Sequence, residues 1–184
     1  MKTIIILVCS LTFSIGLLSA QSFSGLDASP LDCAYFPHNF AHDRKGDEKA
    51  IIKVIYSRPA KNGREVFGKL VPYDKVWRTG ANESTEIKFY QDVKFGDQKL
   101  VAGTYSLFTV PGATEWTIIF SSEVDRWGAY SYKETHDVLR VKAKPTSGKK
   151  EVEVFTIQFE DTGKNSGVMM LVWDKVVVEV PFTF

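Results

Sequence analysis

Alternation of apolar and polar side chains at a period of two is the feature that most limits how this chain can fold. Over residues 175–184 the apolar positions are Val176, Val178, Val180 and Phe182. That spacing lines one face of a pleated strand, whereas a helix repeats its apolar face every 3.6 residues. Residues 151–160 carry Val152 and Val154, then Phe155, Ile157 and Phe159, the same period with a one-residue change of phase. Such a change predicts a β-bulge. Composition agrees. In residues 21–184 Val, Ile and Thr number 36, against 17 for Ala and Leu. β-Branched side chains suit a pleated surface and lose rotamer freedom in a helix.

Further strands are expected at residues 50–56, 85–90, 104–110, 116–121, 138–143 and 168–173, and a short hairpin at 93–100. Between them stand turn residues: Asn62-Gly63, Gly96-Asp97, Pro111-Gly112, Ser147-Gly148 and the polar run 161–167. No stretch holds a long helical period. The expected fold is all-β, a single-domain antiparallel β-sandwich of jelly-roll-like form with little or no helix. About 165 residues suffice for one core, burying roughly 70% of the unfolded chain's surface.

The N-terminus reads as a secretory signal over residues 1–20. Lys2 precedes fifteen largely apolar residues from Ile4 to Leu18, and Leu18-Ser19-Ala20 leads into Gln21. Cleavage near Ala20 and export to a periplasm or beyond are expected; a retained anchor is the competing reading. Residues 21–46 form a polar leader expected to pack on the domain, which spans 47–184. Cys9 leaves with the signal, so Cys33 has no partner for an intrachain disulfide. Lys2 is the only charge in the first twenty residues, and without it 22 basic and 22 acidic residues remain. A neutral chain has no general counterion-release drive toward nucleic acid and no polybasic membrane anchor. No membrane span is expected after cleavage.

The chemistry concentrates in two segments. In Trp77-Arg78-Thr79-Gly80-Ala81-Asn82-Glu83 a planar cation, an amide and a carboxylate fall within six residues. Arg78 is suited to grip a carboxylate or phosphate, with Asn82 and Glu83 orienting the rest of a ligand. Alternatively Arg78 pairs with Glu83 and the string is architectural. The second segment, Trp127-Gly128-Ala129-Tyr130-Ser131-Tyr132, offers aromatic faces for stacking, Trp127 and Tyr132 foremost, or for packing. Arg58 and Arg64 flank the Asn62-Gly63 turn, and Arg58 is a candidate to join Arg78 in an anion site. His38, His42 and Asp43 are too few for a zinc site, so no metal and no cofactor is expected. There is no Gly-x-Ser-x-Gly elbow and no phosphate-cradling glycine loop between strand and helix.

Several stretches carry a family resemblance: Tyr56-Ser57-Arg58-Pro59, Phe67-Gly68, Leu70-Val71-Pro72-Tyr73, the Trp77 to Glu83 string, Ala102-Gly103-Thr104-Tyr105-Ser106-Leu107-Phe108, Glu115-Trp116-Thr117-Ile118-Ile119, Trp127-Gly128 and Asp137-Val138-Leu139-Arg140-Val141. In these, from about Asp32 to the C-terminus, the chain resembles domain of unknown function 2911, a family of exported bacterial domains. The resemblance implies export and brings no established activity.

The functional expectation is a binding or interaction module for a glycan or acidic small ligand, held by Trp77, Arg78, Asn82, Glu83, Arg58, Trp127 and Tyr132. Two alternatives stand beside it. One is a hydrolase using Glu83 with a second carboxylate or His136. The other is a structural domain that docks an envelope protein at its sheet edges. Oligomeric state is left open.

Overall fold

The computed structural model describes residues 24–184. The expected signal peptide, its cleavage point and Cys9 lie outside the described residues. Strands appear in the order β1 (Leu31–Phe36), β2 (Ile52–Ser57), β3 (Thr85–Phe89), β4 (Val93–Phe95), β5 (Gln98–Leu100), β6 (Gly103–Val110), β7 (Trp116–Ser121), β8 (Asp137–Ala143), β9 (Pro145–Gly163) and β10 (Ser166–Thr183). The helical pieces among the described residues are one turn, α1 (Phe40–Asp43), and a 3-10 turn at Glu134–His136.

Two antiparallel sheets face each other: six strands ordered β1-β2-β3-β6-β7-β8, and four ordered β5-β4-β10-β9. This is the β-sandwich that the period-two pattern predicts. The larger sheet is a near-continuous meander, interrupted where the β4–β5 hairpin crosses to the smaller one. On β2 the side chains of Ile52, Val54 and Tyr56 enter the core while Lys53 and Ile55 face outward. A slip of one residue would expose the buried set, so burial fixes the register.

Strand ends depart from the sequence expectation in three places. The leader contains β1, an edge strand paired along its whole length with β2. Ser147-Gly148, expected as a turn, lies inside β9, where the ladder to β10 shifts register near Val176. The segments expected at 168–173 and 175–184 form one strand, because the partner β9 is equally long and carries pairing past Asp174. The predicted phase change falls where Val172 pairs with Thr156 and Asp174 with Val152, so β9 spends two extra residues there.

Aromatic residues fill the space between the sheets. Trp77 stacks on Trp173, with ring centroids 6.0 Å apart, and Phe67, Trp116 and Phe155 meet these rings edge-on or tilted. A second group joins Phe36, Phe159 and Phe182, and a third Phe89, Phe95 and Phe120. Each such pair adds about 0.5–1.5 kcal/mol beyond area burial. Most of the large aromatic side chains are therefore core residues, with Trp127 the exposed tryptophan.

One feature of the outer face positions the candidate site. Phe108 and Ile119, paired across β6 and β7, are buried but lie outside the inter-sheet cluster. Residues 122–136, which link β7 to β8, fold back over this face, and the Tyr132 ring packs on Phe108 at 5.2 Å.

Candidate functional site

The Trp77–Glu83 string is held by its own backbone. Trp77 pairs with Thr109 as a short extension beside β6. Its buried indole donates through Nε1 to the Gly80 carbonyl, 3.0 Å away. Thr79 is fully buried at φ 56°, an unusual conformation for a β-branched residue. Three contacts hold it there: its Oγ1 meets Thr109 Oγ1 at 3.1 Å, its carbonyl accepts from Thr85 Oγ1 at 2.7 Å, and Gly80 packs on the Ser57 backbone. Asn82 sits at φ 57°, a left-handed conformation that Asn visits more readily than most residues.

Asn82 joins the two candidate segments. Its carbonyl accepts from Arg78 Nη1 at 3.0 Å and from the Gly128 amide at 2.9 Å, and its Nδ2 donates to Asp27 at 3.0 Å. Glu83 forms a β-bridge with Trp127, and the Ser84 amide donates to the Arg126 carbonyl at 2.7 Å. Gly128 is required at this junction. At φ 68°, a Cβ there would lie 2.7 Å from the Tyr130 ring and 3.1 Å from Arg78 Nη1.

These contacts place Arg78, half-buried, in the wall of a cleft of about 250 Å³ formed by Leu70, Pro72, Lys75, Trp77, Ala129 and Tyr130 with their neighbours. The guanidinium carbon sits 5.9 Å from the centre of the Tyr130 ring, which is 83% exposed. The lining includes Lys75 and no acidic residue. Among the described residues the one protein acceptor of Arg78 is the Asn82 carbonyl, leaving most of its five N–H donors for another partner.

The other expected site residues are distributed differently. Arg78 and Glu83 do not pair; Glu83 lines a separate cavity with Glu86 and Asp125. Trp77 is a core residue that forms the back of the cleft. Arg58 is occupied elsewhere, its Nη1 on Asp32 at 2.8 Å, Nε on the Phe155 carbonyl at 3.1 Å and Nη2 on Thr156 at 2.8 Å. It clamps β1 and β2 to β9 instead of joining Arg78. Tyr132 turns inward, with its hydroxyl on Asp137 Oδ2 at 2.6 Å. Burial, and then this hydrogen bond, push its phenol pKa well above the ordinary range. Trp127 is 60% exposed. His136 faces Glu123 at 3.4 Å, and Asp137 is held by Tyr132 and Arg140, so neither shares a cavity with Glu83.

Sequence reasoning omitted Lys75 and Tyr130 from the site. Both lie in irregular segments, where no periodicity says which way a side chain points. The glycine before Ala129-Tyr130 was the available signal, since it allows the close approach of ring and guanidinium.

Fold and site together define a two-sheet antiparallel β-sandwich domain with a cationic, aromatic-walled cleft on the rim of its larger sheet. The family model described as "Protein of unknown function (DUF2911)" matches residues 37–182, and the chain belongs to that family. No curated protein and no solved structure matches it significantly. Among the described residues no helix is long and apolar enough to cross a membrane.

Proposed function

We propose that this domain is a binding module for an acidic small ligand, with Arg78 as the anion-gripping residue. One observation carries the reading: a half-buried guanidinium lines an open cleft, spends one hydrogen bond on the protein, and shares the lining with a second cation, Lys75, and with no carboxylate. An arginine held by its own loop and an adjacent ring has lost much of its freedom before a ligand arrives, which lowers the entropic cost of binding.

The cleft's size narrows the ligand. At about 250 Å³ it falls below the ~300–1,000 Å³ usual for drug-sized ligands. One ring or one acidic end group fits, with the Tyr130 face available for the apolar side of a sugar. A glycan unit bearing a carboxylate, a uronic acid, matches this combination. The N-terminal signal pattern supports export, which would place the domain among such saccharides.

The test is a titration of residues 21–184 with glucuronate, galacturonate and glucose, followed by NMR of the Arg78 Nε–H and nearby amides. Uronates are expected to bind in the millimolar range or tighter, with loss of about tenfold in Arg78→Gln and in Tyr130→Ala. Glucose is expected to leave the Arg78 resonance unmoved. Equal response to glucose, or no response to either uronate, would reject the reading.

A further inference from the structure

A second cavity, about 240 Å³, opens on the outer face of the larger sheet and is lined by Leu31, Ile55, Ser57, Glu83, Glu86 and Asp125. Its charge is opposite to that of the Arg78 cleft. The ion pairs of the neighbourhood run elsewhere: Arg126 to Glu123, Arg58 to Asp32, Lys61 to Glu151 and Asp174. No ion pair among the described residues involves Glu83, Glu86 or Asp125. The nearest cations on the same sheet face are also engaged, Lys53 over the Tyr35 ring at 5.8 Å and Lys88 over Tyr90 at 4.8 Å.

Glu86 is not an edge residue that drifts in solvent. It sits on β3, in register between Ile55 of β2 and Ser106 of β6. Ser57 supplies an independent observation. The residue is 2% exposed, and its Oγ has no hydrogen-bond partner. Alternation along β2 sends Tyr56 inward and Ser57 outward with Ile55, and Ser57 pairs with Leu31 in register, so its side chain lies on the cavity's side of the sheet, among the residues that line it. A buried hydroxyl without a partner is costly, and a donor reaching it from the cavity would offset that cost.

From this arrangement we infer that the cavity is a binding site for an organic cation, an ammonium or guanidinium group on a short apolar stem. The carboxylates and the Ser57 hydroxyl accept its N–H donors, while Leu31 and Ile55 cover the stem. A metal ion fits less well, because among the described residues no three His, Cys, Asp or Glu side chains converge to hold one. The site is separate from the Arg78 cleft, and its test stands apart from the uronate titration.

The experiment titrates residues 21–184 with n-butylammonium, agmatine, 1-butanol and Ca²⁺, reading amide shifts at Ser57, Ser84 and Glu86. Both organic cations are expected to move these resonances and 1-butanol to leave them unmoved. The double variant Glu83→Gln with Glu86→Gln is expected to weaken the cations by about tenfold. Asp125→Asn guards against a folding artefact, since Asn tolerates the φ of 58° at that position, and it is expected to weaken them to a smaller degree. Absence of cation binding, equal binding of 1-butanol, unchanged affinity in both variants, or Ca²⁺ acting at the same resonances as strongly would each overturn the proposal.

Discussion

The indole N–H of Trp77 donates to the carbonyl of Gly80, so a core residue fixes the buried turn that follows it. Between them Thr79 is locked at positive φ, and Arg78, pointing the other way, is left at the cleft. Core packing and site geometry are therefore set by one four-residue unit. This is why the string reads as both architectural and functional.

Gly80 tests that unit. A Cβ at this position would lie 2.9 Å from the Ser57 carbonyl oxygen and 3.2 Å from Thr85 Oγ1, and the first of these is backbone that cannot swing aside. Gly80→Ala is expected to lower stability by about 2 kcal/mol, within the range for overpacked sites. Urea denaturation measures it. A change smaller than about 0.5 kcal/mol, the scale of neutral surface substitutions, would show that the turn is not held against β2.

Arg58 separates clamp from site. Replacing it with Gln removes charge-assisted bonds to Asp32, Thr156 and the Phe155 carbonyl. Its ion pair is about one-third exposed, which tempers the expected loss to about 1–2 kcal/mol. Uronate affinity is expected to stay at the wild-type level. A parallel fall in affinity without a fall in stability would return Arg58 to the ligand site.

Tyr132 gives an alkaline signature. Its phenol is held above the ordinary value by burial and by the bond to Asp137. As pH rises past about 10, the unfolded chain releases this proton while the folded chain keeps it. Stability from this group is thus complete below that pH and declines above it. Tyr132→Phe is expected to flatten the alkaline limb of the stability curve and to remove a late-titrating phenol from the ultraviolet titration. An unchanged alkaline limb would contradict the half-buried Tyr132–Asp137 contact.

Regular segments were legible in the sequence because side-chain direction there follows from a period. The strand over Trp116–Ser121 was read to the residue, and the phase change before Phe155 marked a real bulge in β9. Reading failed where direction depends on distant partners. β1 carries no clear alternation in Leu-Asp-Cys-Ala-Tyr-Phe and becomes a strand because the edge of β2 accepts it. Arg58 and Arg78 have similar local settings, a cation near turn residues, yet one meets β9 across 97 residues of sequence and the other meets a cleft. Tyr132, expected among the ligand-binding residues, packs instead on Phe108 of the sheet face, while Tyr130 of the same segment lines the cleft.

The sequence by itself determined the class: alternating apolar residues in a β-branched-rich chain can bury their faces only by stacking sheets. It also determined the family, through strings whose residue types fit one set of turns. The tertiary structure alone decided which charges are spent. A guanidinium or a carboxylate is chemically the same in every context, and what it can bind depends on the partners that folding brings within about 3 Å of it. Folding satisfied Arg58 and Tyr132 internally, and it left Arg78 in its cleft and the Glu83–Glu86–Asp125 group on the outer face of the larger sheet with capacity to spare.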